Sequence, residues 1–170
     1  TGIVMGHEAA GEVVKLGSDV SGVMVGDRVA IDPQLPCYGC KQCSRGLHNL
    51  CDNMKVIGSS MRGKLDGSFC EYILMPARNL YLLPDNVSFK EAAMLEPLSN
   101  AIHAIDRANL KIGDEVAVVG TGTMGLLLIQ VARIAGAGRV FVVDISASRL
   151  EVARLLGADV CINALEKDPV

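Results

Sequence analysis

Short apolar runs, at residues 12–16, 28–31, 69–75 and 80–83, punctuate the first half of the chain between turns rich in Gly, Pro and Asp. Their length and β-branched or aromatic content predict strands. The period then changes. Ser88-Phe89-Lys90-Glu91 has the form of a capping box and predicts a helical turn running to Leu95. Pro97 disfavours helix at Glu96, so the chain is expected to break there and restart with Pro97 as the first helical residue. Leu98, Ala101, Ile102 and Ile105 then recur at helical spacing as one apolar face, with His103 expected to pack beside them. Beyond a polar turn at 111–114, a buried strand at 116–119 leads to a helix at 124–135 and a second strand at 140–143. Ser146 is placed to cap another helix, Gly157 to end it, and residues 160–162 to start a third strand. Only the first βαβαβ half of a doubly wound sheet is present.

Gly120, Gly122 and Gly125 join the first of these strands to its helix at G-x-G-x-x-G spacing. Gly120 permits the tight turn, Gly122 lets backbone approach a pyrophosphate, and Gly125 lets helix and strand pack closely. A phosphate there meets the unpaired N–H groups of the helix start, around Thr123 and Met124, and the positive end of its dipole. Asp144 ends the second strand, 19 residues after Gly125, where a carboxylate can accept hydrogen bonds from an adenosine ribose. The order of strand, glycines, helix, strand and acid favours a dinucleotide over an ordinary glycine-rich turn, and no Gly-Lys-Ser/Thr marks a mononucleotide loop. Asp144 would repel a 2′-phosphate, which favours NAD; Arg149, one helical turn further on, keeps NADP open.

Cys37, Cys40, Cys43 and Cys51 lie within 15 residues as C-x2-C-x2-C-x7-C on a loop with Pro36, Gly39 and Gly46. Four thiolates can close a tetrahedral shell around one zinc and leave no position for substrate, so the site would be structural. An iron–sulfur cluster competes less well, because the last gap is long and no proline follows it; unrelated free thiols are the plainer alternative. His48 inside this loop is expected at the surface, and Cys70 and Cys161 as small buried residues of strands. His7 and Glu8, between Gly6 and small residues, can present two ligands from a tight turn, and Glu96 at a helix break can point into a cleft. Taken alone, the favoured readings are a solvated loop for His7 and Glu8 and a surface capping residue for Glu96.

The composition narrows the classes. The formal charge of −3, with three Tyr and three Phe, argues against nucleic acid or an anionic membrane as the main partner. Residues 116–132 carry no charge, but their glycines, threonines and Gln130 make a spanning helix the poorer reading. Six cysteines without a secretory signal fit a reducing, cytoplasmic setting. The first residue is Thr1 and the chain stops as a strand begins, which reads as a piece of a longer protein.

Gly6-His7-Glu8 with Gly11, the four-cysteine loop, Glu96-Pro97 in Glu-Pro-Leu-Ser-Asn-Ala-Ile-His-Ala, and Gly120-Thr-Gly-Thr-Met-Gly125 with Asp144 occur in one order. Together they resemble the zinc-dependent medium-chain alcohol/polyol dehydrogenases, over essentially the whole chain, and the Glu-Pro-Leu segment resembles the sorbitol-dehydrogenase branch. The resemblance implies an α/β fold. Residues 1–105 would be part of a GroES-like β-rich catalytic domain, and residues 106–170 the first half of a Rossmann domain, with catalytic zinc in the cleft between them. It implies His7 as a zinc ligand, with Glu8 or Glu96 supplying a carboxylate directly or through water. It further implies a secondary alcohol or polyol as substrate, NAD as hydride acceptor and a homo-oligomer at full length. Threonine, butanediol and idonate dehydrogenases belong to the same neighbourhood, and a non-catalytic zinc and nucleotide-binding module stays open. The family's upstream cysteine ligand precedes the part given, so the 170-residue piece alone is expected to be inactive.

Overall fold

The computed structural model describes residues 2–168. Contacts group the chain into two compact units, one up to Glu96 and one from Pro97, whereas the resemblance places the domain boundary between residues 105 and 106.

The first unit contains strands β1 (Ala9–Glu12), β2 (Arg28–Ile31), β3 (Gln34–Leu35), β4 (Lys55–Val56) and β5 (Leu80–Leu82), and helix α1 (Phe89–Ala93). Strands β1, β2 and β5 form an antiparallel sheet in that order, with Ala10 opposite Ala30 and Ala30 opposite Tyr81. The run at 28–31 is the strand its pattern predicts. The run at 12–16 is not: the strand lies earlier, because β2 ends at Arg28 against Glu12 and leaves the next residues no ladder. Val13 instead exchanges single bonds with the turn, to the Asp27 carbonyl at 2.9 Å and from the Gly26 N–H at 2.8 Å.

Residues 69–75 form no strand either, and Phe69, Tyr72 and Leu74 are largely exposed. Their apolar content gives β-propensity, but a strand also needs a ladder of bonds to a neighbour. The Phe69 N–H donates to the Met5 carbonyl at 2.9 Å, and no strand ladder among the described residues includes the segment. Cys70, expected to be buried, is exposed, and its thiol donates to the Tyr72 carbonyl at 3.1 Å.

Strands β3 and β4 pair antiparallel, Gln34 with Val56 and Leu35 with Lys55, and so form a neck that closes the cysteine loop between them. The capping box at α1 is present: the Glu91 N–H donates to Ser88 Oγ at 3.3 Å, and the Ser88 N–H to the Glu91 carboxylate at 2.8 Å. Helix α2 (Leu95–Ala108) begins two residues before Pro97, which therefore stands third. Proline is tolerated there because the first-turn N–H groups have no intrahelical acceptor. Its buried face is Pro97, Ala101 and Ile105; Ile102 and His103, expected on that face, are exposed.

The second unit continues with β6 (Glu115–Val119), α3 (Thr123–Ile134), β7 (Arg139–Asp144), α4 (Ala147–Leu155) and β8 (Val160–Asn163). The strands are parallel in the order β6-β7-β8, as the apolar runs predict, with Val119 opposite Val143 and Asp144 opposite Asn163. Ile129, Val140 and Val142 are fully buried at the centre of the core, each worth about 1.5–3 kcal/mol of burial. Cys161 is half-buried in β8. Ser146 occupies the position before α4 but its side chain caps nothing; its own N–H is taken by Asp144 at 2.9 Å. Among the described residues no helix is long and apolar enough to cross a membrane.

Candidate functional site

His7 and Glu8 immediately precede β1, on a segment fixed from behind by backbone. The N–H groups of Gly67, Ser68 and Phe69 donate to the carbonyls of Val4, Gly6 and Met5 at 2.8–2.9 Å. Gly6 has a φ of +98°, and a Cβ there would come within 2.5 Å of the Phe69 ring. A Cβ on Gly58 or Gly67 would run into the Gly6 backbone. Three bare backbones thus stack behind the turn and set where His7 points. Glu96 arrives from the first turn of α2, where the helix dipole favours a carboxylate. One ring nitrogen and two carboxylate oxygens, from His7, Glu8 and Glu96, lie within 4.8 Å of one another. One imidazole nitrogen and carboxylate oxygens are donors that suit part of a catalytic zinc shell.

His7 and Glu96 also line a cavity of about 440 Å3, a size suited to a small molecule. Its other walls include Gln34 on the neck, Asn49 in the cysteine loop, and Ser59, Ser60 and Arg62 in the segment after β4. Sequence reasoning missed these residues, because polar loop positions without a spacing motif carry no signal until folding gathers them.

The four cysteine sulfurs lie within 4.8 Å of one another, and Cys40 Sγ is 3.9 Å from Cys51 Sγ. Zinc–sulfur bonds of about 2.3 Å in a tetrahedron place sulfurs close to that separation, so the loop fits one closed zinc site. Outer contacts orient it: the Cys37 N–H donates to Cys51 Sγ at 3.2 Å, and Asn53 Nδ2 lies 3.7 Å from Cys37 Sγ. The Gly39 N–H, with Cys51 and Asn53, brings the Cys37 thiol down to about 6. Cys43 is pushed up to about 12, first by burial and then by the sulfurs of Cys40 and Cys51. Crowded sulfurs resist a second negative charge, and a dication at their centre removes that resistance. His48 is at the surface as expected, with the Tyr38 ring 5.0 Å away at a 57° tilt and Arg78 4.5 Å over the Tyr38 ring.

In the second unit, Gly120 has a φ of +92°, and a Cβ on Gly125 would strike the Gly120 carbonyl. Gly122 is different. Its backbone angles suit any residue and a Cβ would meet nothing within 4 Å. No packing within the described residues calls for a bare backbone there, so the open space before α3 fits an approaching phosphate. Thr123 starts the helix and Met124 follows it, at the end where N–H groups lack intrahelical acceptors.

Asp144 lies beside this turn because the Gly120 N–H donates to the Val143 carbonyl at 2.8 Å. The Thr121 N–H and hydroxyl both donate to Asp144 Oδ2, at 2.6 and 2.8 Å. These bonds, the Thr121 N–H foremost and the Ser146 N–H next, hold the Asp144 carboxyl well below the usual carboxylate range. Thr121 is fully buried and was not singled out from sequence; a polar residue inside the glycine motif was the available signal. Arg149 is exposed on α4, with no salt bridge to Asp144.

The alcohol dehydrogenase GroES-like domain family matches residues 1–85, and the zinc-binding dehydrogenase family matches residues 123–170. Sorbitol dehydrogenase of Bacillus subtilis (strain 168) is 40% identical over 165 residues, covering 97% of this chain and 46% of that protein. L-idonate 5-dehydrogenase of Vitis vinifera is 43% identical over 157 residues, covering 92% and 42%. A candidate zinc-binding dehydrogenase of Sinorhizobium meliloti 1021, solved bound to NADP, superposes with a TM-score of 0.92 at 36% identity, over 98% of this chain and 47% of that one. The chain spans about half the length of the curated relatives it matches. With both family matches falling on the units that carry these sites, the chain belongs to the zinc-dependent medium-chain alcohol/polyol dehydrogenases, on their sorbitol-dehydrogenase-like branch.

Proposed function

We propose that the full-length protein oxidises a secondary alcohol or polyol to a ketone with NAD, and reduces it in the reverse direction. The observation that carries this reading is the convergence of His7, Glu8 and Glu96 within 4.8 Å, two of them on the wall of a substrate-sized cavity. When bound, zinc at these residues would supply Lewis-acid polarisation of a substrate oxygen, and NAD would take up the hydride. His7 offers a ring nitrogen, and the two glutamates keep the site more anionic than thiolates would. Gln34, Asn49 and Ser59 each carry both donor and acceptor capacity, which suits a substrate with several hydroxyls. Cys37, Cys40, Cys43 and Cys51 would hold a second, structural zinc.

The turn at Gly120–Gly125 would seat the pyrophosphate and Asp144 would accept from the adenosine ribose. Its fixed negative charge supports NAD over NADP, although the relative from Sinorhizobium meliloti was solved with NADP. Arg149, exposed nearby in sequence, would lie at the edge of that ribose. We assign residues 1–105 to the GroES-like catalytic domain and 106–170 to the Rossmann domain. The family resemblance supports a homo-oligomer, and the cysteine usage supports the cytoplasm. The full-length protein should contain two zinc ions per chain and turn over sorbitol, xylitol, L-idonate, threonine or 2,3-butanediol with NAD. Turnover unchanged in His7→Ala would remove His7 from the site, and a higher kcat/KM with NADP would reverse the coenzyme assignment.

A further inference from the structure

The dehydrogenase reading does not say what a substrate carries beyond its hydroxyls, and the cavity wall opposite in charge to Glu96 bears on that. Among the lining residues Arg62 is the one Lys or Arg. Its backbone is held at both ends: the Arg62 N–H donates to Ser59 Oγ at 3.2 Å, and its carbonyl accepts from the Val56 N–H at 3.0 Å. The loop that carries it is in turn registered on the histidine turn, since Gly58 stacks against the Gly6 backbone. Gly63, just after Arg62, folds so closely onto Lys55 that a Cβ there would come 2.8 Å from Lys55 Cγ. The guanidinium itself is exposed and forms no salt bridge among the described residues. A cation has therefore been placed on a fixed loop, in the same cavity as the His7 and Glu96 side chains, with its charge not used by the protein.

We propose that Arg62 is an anion-binding subsite, so that the preferred substrate is a polyol bearing a carboxylate or a phosphate and not a neutral sugar alcohol. A guanidinium presents two parallel N–H donors that match either oxyanion bidentately, which a hydroxyl cannot satisfy. Ser59, Ser60, Asn49 and Gln34 line the same cavity and supply the neutral hydrogen-bonding groups that hydroxyls need. The proposal rests on the dehydrogenase reading for the hydroxyl that reacts, and on Arg62 alone for the charge.

The test uses the full-length zinc-loaded enzyme with sorbitol, D-gluconate, L-idonate and sorbitol 6-phosphate, in wild type, Arg62→Ala and Arg62→Lys. At least one anionic substrate should exceed sorbitol in kcat/KM by about tenfold or more, mainly through KM. Arg62→Ala should lower the anionic-to-neutral ratio at least tenfold, the size of one lost bidentate contact. Arg62→Lys should restore more of it for phosphate than for carboxylate. The acid and phosphate arms decide which anion the site takes. Sorbitol preferred by wild type, with the ratio unmoved in Arg62→Ala, overturns the proposal. Calorimetric titration of gluconate and sorbitol 6-phosphate into the enzyme without coenzyme separates the two readings. Binding that depends on Arg62 with no turnover of any compound sinks the dehydrogenase reading and keeps the subsite. Absence of anion binding in wild type sinks the subsite whatever is turned over.

Discussion

Thr121 spends its hydroxyl and its N–H on one oxygen of Asp144, and the Ser146 N–H takes the other oxygen. The carboxylate is thus ionised and aimed before any coenzyme arrives. Thr121→Val keeps the shape and the backbone bond but removes the hydroxyl. It should weaken NAD binding about tenfold, the effect of one charge-assisted hydrogen bond, and narrow the preference over NADP; Thr121→Ser should restore both. Fluorescence titration with the two coenzymes checks it, and an unchanged ratio in the valine variant would mean the clamp is only structural. At this scale the sequence was legible where a residue belongs to a spacing. The glycines, the acid and the four cysteines could be read, but Thr121, Gly58 and Gly67 could not. Their roles depend on which backbone they meet, and Gly58 meets Gly6 across more than fifty positions of chain.

Elements divide in the same way. Strands β6, β7 and β8 were readable as short apolar runs bounded by turns, although only Val118 of β6 and Val140 and Val142 of β7 are buried, and Ala117 and Val119 of β6 are exposed. Segment 69–75 has the composition of a strand without the partner, and residues 12–16 outran the strand they pair with, so pattern alone misplaced both. The cysteine loop was readable from spacing because its ligands are local. Its weight in the fold shows in the buried apolar residues of the first unit, where Cys43 and Cys51 stand beside Val13, Val29, Ala30, Ile57 and Ala92. A zinc held by four thiolates would couple the fold of this loop to metal binding. Cys43→Ser should remove one zinc per chain and lower Tm by at least about 5 °C, seen by metal analysis and calorimetry. A variant that keeps its full metal content would show that the loop does not bind zinc.

Among the described residues three carboxylates are held low, Glu91 in the first unit and Asp144 and Asp159 in the second. Asp159 is held below the usual range by the Val140 N–H first and by its ion pair with Arg133 next. Arg133 also donates from Nε to the Gly157 carbonyl at 2.7 Å, tying the end of α3 to the end of α4. A carboxylate whose folded pKa is lowered stabilises fully above its unfolded pKa of about 4, and that stability is lost as pH falls through the folded pKa. Asp159→Asn should therefore lower Tm by a few degrees at pH 7, and by progressively less as pH falls below about 4. Melting curves by circular dichroism at pH 7 and at a series of pH values below about 4 check the sign; a drop that does not shrink with falling pH would assign the effect to packing.

The neck formed by β3 and β4 closes the cysteine loop, and its rung of Gln34 against Val56 is also cavity wall. If the proposed function holds, substrate recognition would borrow rigidity from a zinc in the cysteine loop that does not meet the substrate. Such an enzyme would report on zinc supply twice. As free zinc is lowered with a graded chelator buffer, activity should fall in two separate steps. One is a loss of turnover from the His7 site, and the other is a slackening of substrate affinity from the cysteine loop. Cys43→Ser should already sit on the far side of the second step and show the first alone.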